Sequence, residues 1–164
     1  IGAPVFIDTF GALGAQPVPM PFGELYAGLE TGTVDGQDNT ALTVDMMKFY
    51  EVQDHLTISN HIYSAMVVLS GQPFLSRLSE EDRALLEETV RDFGATQRSM
   101  MRDANAKVLD FLRGEGGMKI VAKLGPDSVA AFRRKVAPVI AKTVTEDLAP
   151  LYDEMLAAVA ASAR

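Results

Sequence analysis

The sequence predicts an α/β fold carrying one long helical strut. Three observations support this. Up to about Gly71, short apolar segments alternate with Gly and Pro punctuation. Two segments, "HLTIS" at 55–59 and "IYSAMVVLS" at 62–70, have strand character. The second is almost continuously apolar, as expected of a strand covered on both faces. From Ser79 onward, apolar residues recur at helical spacing over roughly eight turns. If the two strand segments are misread, a helical bundle is the alternative.

The elements follow in order. Residues 4–13 form a short helix, ended by Gly14. "AQPVPMP" at 15–21 is an extended connector, because proline has no N–H to give to a central strand. Residues 22–30 form a helix with Leu25, Tyr26 and Leu29 on one face and Gly32 just past its end. "TVDGQDN" at 33–39 is a turn or short strand, and residues 40–50 a short helix carrying Met46, Met47 and Phe49. "SEED" at 79–82 opens the strut, with Ser79 as its cap and the acidic side chains in the positive first turn. Leu86, Val90, Phe93, Gln97, Met101, Ala104, Val108 and Phe111 form its stripe, and "RGEGG" at 113–117 ends it. A short helix at 118–124 and a helical region at 126–163 complete the chain, with Pro138 and Pro150 starting, kinking or ending helices.

Composition narrows the function. The chain is 48% hydrophobic and 23% charged, an ordinary globular balance. A net charge of −7 argues against nucleic acid, which needs clustered Lys and Arg. There is no cysteine, so disulfides and thiolate metal sites are excluded. No apolar run approaches the roughly 20 residues of a membrane span, and a membrane-embedded protein is not expected. The chain begins at Ile1 rather than Met, so its natural start and any signal peptide are expected to have been removed.

Motifs for chemistry are sparse. His55 and His61 match no common zinc spacing. Nucleophile-elbow, phosphate-loop and dinucleotide fingerprints are missing. "GEGG" near Gly114 ends a helix and so reads as a cap rather than a phosphate cradle. No catalytic residue, metal or cofactor is expected, and the chain does not read as an enzyme. Asp35 and Asp38 could pair as acid and base, but Asp is foremost a turn former. Met20, Met46, Met47 and Met66 read as core filler rather than an adaptable surface. Asn39 is the residue to single out. Its amide offers an acceptor and two donors without charge, although Asn in isolation also reads first as a turn former.

The combined string carries more than its parts. "LGAQPVPMPFGELYAGLETGTVDGQDN" and "KFYEVQDHLTISNHIY" closely resemble the periplasmic solute-binding proteins of TRAP transporters, the DctP-type family. The matching positions are Gly14-Ala15, the prolines between Pro17 and Pro21, Glu24-Leu25-Tyr26, Leu29 through Asn39, Tyr50-Glu51-Val52, Thr57 and His61. "LSEEDRALLEE" and "TQR" look like the family's C-terminal portion, and the similarity covers essentially the whole chain.

The resemblance implies a type II-like, two-lobed periplasmic solute-binding fold that closes over a small organic acid and delivers it to the TRAP membrane subunits. It carries ligand contact onto Asn39 and onto Phe22, the aromatic after the proline connector. It places His61 and Tyr63 where the chain crosses between lobes, and Tyr63 is expected to offer its hydroxyl. In the family an Arg clamps the ligand carboxylate. Its place falls at or before Ile1, and no Arg occurs before Arg77. The chain therefore reads as a C-terminal portion with the N-terminal lobe largely missing. Residues 1–60 are expected to hold a second-lobe segment with the ligand-contacting turn, 61–78 a crossover strand and connector, 79–113 the bracing helix, and 114–164 the C-terminal helices. The rival reading is a helical interaction protein whose long helix forms a dimer.

Overall fold

The computed structural model describes residues 2–63, 66–121 and 124–162. The chain divides into two compact units, one made of Ile1–Val34 with Leu124–Arg164 and the other of Asp35–Lys123. Each is described by itself.

In the first unit, helix α1 spans Pro4–Leu13. Pro4 supplies a helical φ where no N–H is needed. Gly14, at φ 99°, takes the left-handed conformation that ends the helix, its N–H donating to the Gly11 carbonyl. A 3-10 turn over Phe22–Glu24 leads into helix α2, Leu25–Glu30. Gly28 and Leu29 are its buried residues. A Cβ on Gly28 would stand 3.0 Å from Met20 Sδ and 3.5 Å from Val34 Cγ2. The missing side chain is thus what lets the proline-rich connector cross α2. Gly32, at φ 71°, reverses the chain, and the Val34 N–H returns to the Gly28 carbonyl at 3.2 Å.

The C-terminal part of the chain supplies the remaining helices of this unit. The longest helix here, Pro126–Thr143, packs on α1. Lys142 Nζ lies 2.6 Å from Asp8 Oδ2, and Lys135 Nζ donates to the Leu13 carbonyl at 3.4 Å. The second contact sets a cation at the negative end of α1. The last helix is Ala149–Ser162. Ahead of it, the Thr145 hydroxyl donates to Asp147 Oδ1 at 2.5 Å. That bond, with backbone N–H groups adding to it, holds the Asp147 carboxyl below its ordinary value. A lowered carboxyl stabilises the fold above its unfolded value and loses that contribution as pH falls through the folded one. Thr145→Ala is expected to move the Asp147 NMR titration midpoint upward; an unmoved midpoint would show that the hydroxyl is not the cause.

In the second unit, Thr40 Oγ1 accepts from the Thr43 N–H at 3.2 Å and caps helix α3, Ala41–Met46. Lys48 adopts φ 55° and turns the chain into a 3-10 turn, Phe49–Glu51. Strand β1, His55–Thr57, pairs in parallel with β2, Lys119–Val121, with Leu56 opposite Ile120. Helix α4 is Gln72–Leu75, and α5 runs Glu80–Arg113, about 50 Å at 1.5 Å per residue. Ser79 caps α5 as its sequence requires, accepting from the Asp82 N–H at 3.1 Å and donating to Asp82 Oδ2 at 2.7 Å. The core of this unit holds Val44, Phe49, Val108, Leu112 and Met118. Helix α3 packs on α5, and Tyr50 meets Phe111 edge to face with centroids 5.4 Å apart.

Three expectations from sequence change. Among the described residues of 62–70 there is no strand; residues 64 and 65 lie outside them. Met66 and Leu69 are 92% and 86% exposed. An apolar run becomes a strand only where another strand takes its backbone groups, and none of the described residues does so here. Residues 119–121, expected in a helix, form β2 instead, because pairing with β1 outweighs an ambiguous local pattern. Met46 and Met66 are exposed rather than core, whereas Met20 packs on Gly28. The α5 stripe is also covered unevenly: Val108 is buried while Phe93 is exposed, and Leu112, outside the stripe read from sequence, is fully buried.

Candidate functional site

The sequence marks the corner at residues 35–39, which lies in the second unit. Among the described residues, its backbone groups make no backbone–backbone hydrogen bond; the neighbouring bonds start at Val34 and Val44. Side chains hold it instead, through two separate ties.

The first tie is a chain of amides. Asn39 Nδ2 donates to Gln37 Oε1 at 2.7 Å, and Gln37 Nε2 donates to Gln53 Oε1 at 3.3 Å. Gln37 and Gln53 are half-buried and Asn39 is exposed. The amide of Asn39 is thereby oriented from behind, and its Oδ1 and second N–H are left for other partners.

The second tie joins a histidine to a carboxylate. His61 Nε2 lies 3.2 Å from Asp38 Oδ1, with the two side chains only 23% and 29% exposed. Ser59 Oγ and His61 Nδ1 are 2.6 Å apart. Asn60, between them, sits at φ 49°, a left-handed conformation that Asn tolerates better than most residues. It folds the segment so that Ser59 and His61 meet. Ser59, His61 and Asp38 thus form a Ser-His-Asp group, and the group fastens the corner to the segment that follows β1. Among the described residues, no three His, Asp or Glu side chains gather as a metal site.

The other residues marked by sequence stand apart from these ties. Tyr63 is 89% exposed. Phe22, 49% exposed, begins the 3-10 turn of the first unit. The surface carries shallow grooves among the described residues. One lies between α1 and the helix Pro126–Thr143, lined by Ile7, Asp8, Pro17 and Lys142; another lies beside α4 and α5, lined by Leu69, Phe74, Leu86 and Val90. Neither lining includes Asn39, Phe22 or Tyr63. Gln37, Gln53 and the Asp38–His61 pair were not singled out from sequence. Their residue types are ordinary, and no local spacing links position 37 to 53.

Comparison with known proteins gives a consistent result. The model of the bacterial extracellular solute-binding proteins, family 7 (DctP), matches residues 1–147. The 2,3-diketo-L-gulonate-binding periplasmic protein YiaO of Escherichia coli K12 is 32% identical over 156 residues, covering 93% of this chain and 47% of that protein. The sugar acid binding protein DctPAm of Advenella mimigardefordensis, solved with galactonate, superposes with a TM-score of 0.81 at 35% identity, covering 100% of this chain and 52% of that one. The periplasmic ectoine-binding protein of the TeaABC TRAP transporter of Halomonas elongata gives a TM-score of 0.87 at 27% identity, covering 98% and 54%.

Fold and sequence together place the chain among the bacterial extracellular solute-binding proteins. The chain belongs to the DctP family of bacterial extracellular solute-binding proteins; the Escherichia coli and Halomonas elongata relatives named above are periplasmic binding proteins. It spans about half the length of the curated relatives it matches. Among the described residues, no helix is long and apolar enough to cross a membrane.

Proposed function

We propose that this chain is the ligand-contacting part of a periplasmic receptor that binds a small organic acid and passes it to the membrane subunits of a TRAP transporter. The observation that supports this most is the exposed Asn39 amide, held in one orientation at the position where the family motif ends. The names of relatives add weight, since two of those above bind sugar acids. An amide holds a carboxylate or hydroxyl oxygen without adding charge to an already acidic chain. Tyr63 of the second unit and Phe22 of the first are each proposed as further contacts, the one through its hydroxyl and the other through its ring. The exposed apolar run at 66–69 fits a strand whose partners belong to the rest of such a receptor.

Calorimetry on the full-length natural protein tests this with galactonate, 2,3-diketo-L-gulonate and a panel of related hydroxy acids. Binding of at least one acid is expected; a folded protein giving heat with none would remove the reading. Asn39→Ala is expected to weaken binding by about 1–3 kcal/mol, the cost of leaving a ligand group without its hydrogen bond. Unchanged affinity would take Asn39 out of the site.

A further inference from the structure

We infer that Gln53 is a positioning residue for the Asn39 amide, acting through Gln37. The inference rests on the proposed role of Asn39 for its effect on binding, but its structural part stands alone.

The geometry has a direction. Gln53 Oε1 accepts the Gln37 N–H, and Gln37 Oε1 accepts the Asn39 N–H. Each amide fixes the rotation of the next, because exchanging oxygen and nitrogen in one of them would set donor against donor or acceptor against acceptor. The relay ends on rigid structure. Gln53 follows the 3-10 turn that buries Phe49 completely, and precedes β1. Its neighbour Asp54 is held by the Lys119 N–H, which donates to the Asp54 carbonyl at 2.8 Å. The corner has no backbone–backbone hydrogen bonds of its own among the described residues, so side chains must hold it. The Asp38–His61 tie anchors the corner one residue before Asn39 but touches neither of its amide atoms. Among the described residues, the glutamine relay is what sets which way the Asn39 amide faces. A side chain that binds through a fixed donor and acceptor loses affinity when it must first be ordered.

The consequence concerns ligand class. With one N–H given to Gln37, Asn39 keeps one donor and its acceptor oxygen. A hydroxyl, which both donates and accepts, can use both; a bare carboxylate can use only the N–H. The relay therefore favours hydroxy acids over acids that offer only a carboxylate at this point.

Two measurements decide it. In the first, the nitrogen relaxation of the Asn39 side-chain amide is recorded without ligand on the 164-residue chain. Ordered values are expected for the parent, a mobile amide with an order parameter below about 0.6 for Gln53→Met, and restored order for Gln53→Glu, which keeps the accepting oxygen. An amide equally ordered in parent and Gln53→Met would overturn the relay. The second is a double-mutant cycle on the full-length protein, with the acid giving the largest calorimetric heat in the panel above. Gln53→Met is expected to weaken binding about two- to tenfold in the parent, the range of one net hydrogen bond, and to cost nothing further in an Asn39→Ala background. Equal losses in both backgrounds would show that Gln53 does not act through Asn39. If no acid binds, or Asn39→Ala leaves affinity unchanged, the receptor or site reading has failed, and the relaxation measurement still decides the relay.

Discussion

Replacing Phe49 by alanine is expected to destabilise the second unit by about 3–5 kcal/mol, the usual cost of emptying a buried aromatic site. Phe49 has no exposed surface, and it lies in the 3-10 turn between α3 and β1. The turn has little freedom to close over a cavity. Lys48 is already in a left-handed conformation, and the Lys48 and Val52 N–H groups are both committed, to Asp45 and Phe49. Such a loss is a large share of a typical domain stability of about 5–15 kcal/mol. Urea unfolding should show a lower midpoint at an unchanged slope. Phe49→Leu, which refills part of the volume, should lose less. A Phe49→Ala midpoint equal to that of the parent would mean that the ring is not in the core. Because Gln53 stands just past this turn, the same substitution should also loosen the amide relay.

Leu112→Ala is expected to cost about 2–5 kcal/mol. Leu112 is fully buried in the last turn of α5, where the chain folds back over it. The Met118 N–H donates to the Leu112 carbonyl at 2.8 Å, and a Cβ on Gly116 would come within 2.9 Å of Leu112 Cα. Helix end, glycine return and Met118 thus close on one residue, and a hole at Leu112 loses contacts on several sides at once. Leu85, 61% exposed in the first turns of the same helix, is the control: Leu85→Ala should stay within about 0.5 kcal/mol of the parent. If the two substitutions proved equal in urea, the assignment of the core to the C-terminal end of α5 would be wrong.

Val108 and Phe93, both on the α5 stripe but one buried and the other exposed, show where sequence reading runs out. The stripe on α5 was legible from its spacing, and the Ser79 cap from "SEED". Spacing says which face is apolar but not how much of that face is covered. Likewise α1 could be read to its ends, because Pro4 and Gly14 act on their own backbone. Strand β2 could not, because its identity depends on β1, far away in the chain. Among the described residues of 62–70 no strand forms, for the converse reason: apolar character without a described partner does not make a strand. In the corner, Asn39 was legible from the motif, but the amide relay and the Asp38–His61 pair join residues that no local pattern connects.

By itself, then, the sequence determined the family, the caps and glycine stops of the helices, the turn at Gly32 and the position of the Asn39 corner. Those signals act within a few residues, or through a motif held in a continuous string. The tertiary structure alone decided that Phe49 and Leu112 carry the core of the second unit, that residues 119–121 form a strand, and that Gln53 reaches the Asn39 amide through Gln37. The physical reason is common to all three. Burial, strand pairing and side-chain hydrogen bonds are made between segments distant in the chain, and they exist only after the chain has brought those segments together.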